Sequence, residues 1–195
     1  MSRKLNWRIS GVVALAALFN ICTTPLFAQS IEDKTQICAG CHGADGKPVD
    51  KTIPAVWGQQ AGYIYIELRD FKRGDRKSNI MQPIASSMER DDMQAFAEYF
   101  SKKPWPDLGQ PRAPKEITDQ ASSANRSVGC TGCHLDHFQG DGTIPRLAGL
   151  SREYLTKTMT DFRTRARGNN PGMSDLMLAI SPDDIAALAD YLSGL

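Results

Sequence analysis

Cys38-Ala39-Gly40-Cys41-His42 reads CAGCH, and ninety-two positions later Cys130-Thr131-Gly132-Cys133-His134 reads CTGCH. The chain has five cysteines and three histidines. Two copies of one pentapeptide therefore take four of the cysteines and two of the histidines. Registering the chain on the two copies recovers more than the motif. Pro54 matches Pro145, Gly58 matches Gly149, Tyr63 matches Tyr154 and Asp70-Phe71 matches Asp161-Phe162, all at an offset of 91. Met81 matches Met173, Asp92 matches Asp184 and Tyr99 matches Tyr191 at 92, so one single-residue gap falls between Phe71 and Met81. Two copies are too few for a solenoid and fit two similar small domains.

Each copy runs in the same order. A short segment leads into CxxCH, a Gly/Pro-rich loop follows, then a helical stretch, a Met-bearing loop and a final helix. The final helices carry apolar residues at i, i+3, i+4 and i+7: Met93, Phe96, Ala97, Phe100, and Ile185, Leu188, Ala189, Leu192. That is the period of a helix with one buried face. Ser181-Pro182 supplies an N-cap and a proline at the first helical position. With little alternating pattern anywhere, the fold class is all-α: two tandem domains at 29–102 and 119–195. A linker at 103–118 is held extended by Pro104, Pro106, Pro111 and Pro114.

Residues 1–28 read as a secretory signal: Arg3, Lys4 and Arg8, then a short apolar run, then Ala28 before a polar start. The run is short for a spanning helix. Cleavage removes Cys22 and leaves 20 basic against 22 acidic residues. An exported, weakly acidic protein is expected, with no basic stripe for nucleic acid. All four remaining cysteines then sit in the pentapeptides.

CxxCH is the attachment pattern of a c-type haem. Two thiols one helical turn apart add to the two vinyl groups of the macrocycle, and the adjacent histidine is placed as proximal iron ligand. Zinc ribbons space their pairs by about 15–20 residues and need no histidine after each. A redox dithiol would call for a βαβ setting. The sequence therefore predicts two covalent haem c groups, on Cys38, Cys41 and His42 and on Cys130, Cys133 and His134. The second axial ligand decides between binding chemistry and electron carriage. His137 lies three residues past a proximal histidine, too close to reach the opposite face easily, and no cysteine remains. Methionine is left: Met81 and Met173 are equivalent in the repeat, with Met88 and Met177 as competitors that are not equivalent to each other.

On these motifs, and on IPAVWGQQAGYIYIELRDFKRGDR, IMQPIA, IPRLAGLSREYLTKTMTDFR and SPDDIAALADYLSGL, the sequence resembles the dihaem class I cytochromes c, specifically the cytochrome c4 family. The likeness covers nearly the whole mature chain. It implies two cytochrome c folds related by a pseudo-twofold, haems facing each other across the interface, and His/Met ligation of both irons. It also implies that the Pro54 and Pro145 carbonyls orient the proximal histidines. A short approach to Cys38, Trp57 in place of a small residue and Leu150 in place of glutamine depart from the pattern.

The expected function is a periplasmic carrier of single electrons and not an enzyme. The resemblance implies a terminal oxidase as acceptor and a quinol-oxidising complex as donor, and leaves room for peripheral membrane association. One rival is a cytochrome subunit that accepts electrons from a single periplasmic dehydrogenase. A dihaem peroxidase, which needs an open or displaceable iron site, is the weaker rival.

Overall fold

The computed structural model describes residues 30–195. The signal segment, Cys22 and Ala28 lie outside the described residues. The first unit holds α1 (Ile31–His42), α2 (Ala61–Arg73), α3 (Met81–Ser86) and α4 (Arg90–Ser101). The second holds α5 (Lys115–Val128), α6 (Thr131–His134), α7 (Arg152–Arg163), α8 (Pro171–Leu178) and α9 (Pro182–Ser193). Among the described residues there is no strand beyond one isolated bridge, Asp141 to Ile144, and no helix is long and apolar enough to cross a membrane.

Helix ends follow local chemistry. Ser30 accepts from the Asp33 N–H at 3.1 Å and starts α1; Ser181 accepts from the Asp184 N–H at 3.1 Å, with Pro182 at the first turn of α9. Such caps are each worth about 1 kcal/mol. The final helices bury the stripes expected of them: Met93, Phe96, Ala97 and Phe100 in one core, Ile185, Leu188, Ala189 and Leu192 in the other. In the first unit α2 packs on α3 and α4; in the second, α5 lies along α9, and α7 packs on α8 and α9. Ala121 and Ala124 are buried on α5 and let its backbone approach closely.

Two elements differ from the expected order. The methionine-bearing segments are short helices, α3 and α8, not loops. The Ser78 hydroxyl accepts from the Met81 N–H at 3.1 Å, and the Asn170 side chain accepts from the Met173 N–H at 3.1 Å. With Pro171 pre-set for the first turn, these oxygens start a helix at each site. The proline-rich segment is free of helix from 104 to 114, but α5 takes in its last four residues, starting at Lys115 directly after Pro114.

The two units meet through an interface that repeats itself. Arg76 donates to the Tyr154 hydroxyl at 3.3 Å, and Arg167 donates to the Tyr63 hydroxyl at 3.2 Å. Both partners are related by the 91-residue offset, so the pairing is reciprocal, as across a twofold axis. The local turns repeat too: the Arg76 N–H donates to the Asp70 carbonyl at 3.1 Å and the Arg167 N–H to the Asp161 carbonyl at 3.0 Å. Gln59 adds a two-sided clasp, its Nε2 donating to the Arg146 carbonyl at 3.0 Å and its Oε1 accepting from the Arg146 N–H at 2.8 Å. Gln60 and Ser151, offset partners, each donate to a carbonyl of the opposite unit.

Trp105 of the linker lies against two equivalent glycines, Gly58 and Gly149, each at positive φ. A Cβ on either would press to about 3 Å or less from it. The N–H groups of Gly58 and Gly149 cap the ends of the final helices, on Phe100 and Leu192, at 2.9 Å each.

Candidate haem sites

In the first unit CxxCH occupies the last turns of α1. Gly43, at φ 86°, ends the helix with its N–H on the Ala39 carbonyl at 3.0 Å. In the second unit the helix breaks at Gly129, which is left-handed at φ 72°, and the motif continues on the single turn of α6. The helical spacing brings both thiols and the histidine of each motif to one side.

Cys38, Cys41 and His42 line an apolar cleft with Met81, walled by Ile64, Leu68, Ile84, Phe96 and Phe100. Its cavity volume is about 70 Å³, bounded almost wholly by apolar side chains. Four sequence-predicted residues thus share one cavity whose walls suit a flat apolar macrocycle. The second unit places Cys130 and Met173 against its larger core, with His134 buried and Cys133 exposed.

The histidines are held alike. His42 Nδ1 stands 2.8 Å from the Pro54 carbonyl and His134 Nδ1 2.9 Å from the Pro145 carbonyl. A carbonyl only accepts, so Nδ1 carries the proton and Nε2 keeps its lone pair. Burial lowers the pKa of both rings, and the carbonyl bonds offset part of that. The neutral form is the ligating form. Burial also pushes the Cys38 and Cys130 thiols up, as expected for side chains set in apolar surroundings.

Met81 and Met173 occupy the same local setting, half-buried at the start of a short helix with a side-chain oxygen on their N–H. Met88 also lines the first cleft but is buried in the core, as is Met177. His137 is exposed on a turn. Leu150 is buried in the second core, and Trp57 stacks where a Cβ on Gly46 would stand 2.8 Å from its ring. Sequence reasoning passed over Glu67, Arg76 and Arg167. Extending the repeat five residues past Asp70-Phe71 would have found the two arginines as a matched pair.

Two haem-attachment motifs on two helical units define a c-type cytochrome built by duplication. The family model described as Cytochrome c matches residues 34–104 and 115–195. Cytochrome c4 of Azotobacter vinelandii is 31% identical over 182 residues, covering 84% of this chain and 87% of that protein. The thiosulfate dehydrogenase electron acceptor of Stutzerimonas stutzeri strain A1501 is 30% identical over 210 residues, covering 99% and 96%. The crystal structure of reduced recombinant cytochrome c4 from Pseudomonas stutzeri superposes with a TM-score of 0.75 at 28% identity, covering 85% of this chain and 96% of that one. The chain belongs to the cytochrome c family, as a dihaem member of the cytochrome c4 type. It carries two covalent haem c groups and serves as an electron carrier.

Proposed function

We propose that this protein passes single electrons in the periplasm through two His/Met-ligated haems, His42 with Met81 and His134 with Met173. The observation that carries this reading is the shared cavity of Cys38, Cys41, His42 and Met81. The haem supplies an iron that cycles between ferric and ferrous. The chain supplies the rest. The cysteines tether the macrocycle, and Pro54 and Pro145 fix the imidazole tautomer. The methionine thioether is a soft neutral ligand that favours ferrous iron. Apolar walls from α2 and α4 keep water from the iron. Near-balanced charge favours transient docking over strong steering. In this reading a quinol-oxidising complex donates and a terminal oxidase accepts.

Haem content tests the assignment. Cys38→Ala with Cys41→Ala should leave one haem per chain, and Cys130→Ala with Cys133→Ala likewise. Two haems retained by either double variant would sink it.

A second reading, an acceptor serving one periplasmic dehydrogenase, draws on the end-to-end match to the Stutzerimonas stutzeri electron acceptor. Isolation of the tagged native protein discriminates: a catalytic subunit held in fixed ratio through salt washes favours the second reading, and its absence favours the mobile carrier.

A further inference from the structure

The duplicated interface is symmetric at Tyr63 and Tyr154 and at Arg76 and Arg167, and it is broken at one charge. Glu67 has Thr158 as its offset partner. Glu67 is 8% exposed, and its carboxylate takes one guanidinium from each unit, Arg76 at 2.6 Å and Arg167 at 2.5 Å. Asn169 donates to it at 3.2 Å. Asp70 repeats the bias. It is buried beneath Arg69 and Asn169, whereas its partner Asp161 turns outward to Lys157. Both buried acids at the joint therefore come from the first unit. Ile64 and Leu68, the residues three before and one after Glu67 on α2, wall the first cleft.

A charge held out of water is screened weakly, and burial and nearby charge are the protein's levers on a haem potential. The two guanidiniums favour ferrous iron; the carboxylate offsets them, and relative to a neutral residue there it favours the more positive ferric iron. We propose that Glu67 is a tuning residue that makes the two haems inequivalent, lowering the potential of the first more than that of the second. This rests on the reading that the two CxxCH sites hold haems. The duplication supplies its own control, because the carboxylate can be moved to the matching position on α7.

The test is stepwise reductive titration of the holoprotein, with each haem followed through its own paramagnetically shifted methyl resonances. In Glu67→Gln the first haem's potential should rise, and by more than the second's. In the exchange variant, Glu67→Thr with Thr158→Glu, the larger lowering should move to the second haem. A purely structural clasp would not transfer in this way. Equal or absent shifts in Glu67→Gln, with both haems bound and scattering showing the units still docked, would overturn the proposal. So would an exchange variant that keeps the wild-type pattern. If Glu67→Gln does not accumulate or undocks, the exchange variant decides, since it still offers a carboxylate to both arginines. An exchange variant that itself cannot dock contradicts the reciprocal interface on which the proposal stands. Haem content measured on the wild type separates the two readings: fewer than two haems refutes the site assignment, not the role of Glu67.

Discussion

Removing Arg167 should loosen the joint between the units by an amount that depends on Glu67. Arg167 is 7% exposed, donates to Glu67, to the Tyr63 hydroxyl and to Asn169, and lies 4.4 Å over the Phe162 ring. Breaking a buried ion pair from one side costs about 3–5 kcal/mol, because a charge is left behind. Here Glu67 keeps Arg76, so Arg167→Met should fall at the lower end, about 3 kcal/mol. Glu67→Gln should cost about the same, since it leaves two guanidiniums facing a neutral amide. Once Glu67 is neutral, Arg167 has lost its charged partner, and removing it costs less. The double variant should therefore cost about 2 kcal/mol less than the sum, within the range for residues in contact. Denaturant unfolding of the four holoproteins gives the cycle. Lys115→Met is the control: its pair with Asp119 is exposed on both sides and should move stability by no more than about 0.5 kcal/mol. Additivity of Arg167→Met and Glu67→Gln to within about 0.5 kcal/mol would refute the claim that they form one buried unit.

Three further outcomes follow from the geometry. Gln59→Ala removes both bonds to Arg146 and leaves a part-buried N–H and carbonyl unpaired; it should cost about 1 kcal/mol, and protection of the Arg146 amide against hydrogen exchange should fall with it. Met88→Ala should cost about 2–5 kcal/mol as a core truncation while leaving the reduced protein inert to carbon monoxide, whereas Met81→Ala should open the first iron to it; the reverse pattern would exchange their roles. The Lys34 bond holds Asp92 below the usual carboxylate range, so this tie between α1 and α4 is full above the unfolded value and is lost as pH falls through the lower folded one. Exchange protection on α1 should drop there, and Asp92→Asn should abolish that dependence.

Much of the fold was legible because its signals are local. CxxCH needs two thiols one turn apart, and the final helices need an apolar stripe of helical period, so both show in short windows. The repeat then supplied the second unit from the first. What stayed hidden is held by contacts a hundred residues apart. Glu67 lies in ELRDFKRGDR, a run of charges in which nothing marks it for burial; its partner Arg167 comes from the other unit. The helical setting of Met81 and Met173 hid for a different reason, since a one-residue cap and a six- to eight-residue helix leave too little periodicity to detect. The break at Gly129 was written plainly, as a glycine just past a helix end, but the cysteines beside it drew the reading to chemistry instead.

Exposure of the dithionite-reduced holoprotein to carbon monoxide, read in the visible spectrum near neutral pH, tests the carrier account most directly. If Met81 and Met173 close the two irons, the spectrum stays as it was. Carbon monoxide binding at either haem would show an open or labile site, contradict the paired His/Met ligation and return the protein to ligand-binding or peroxidase chemistry.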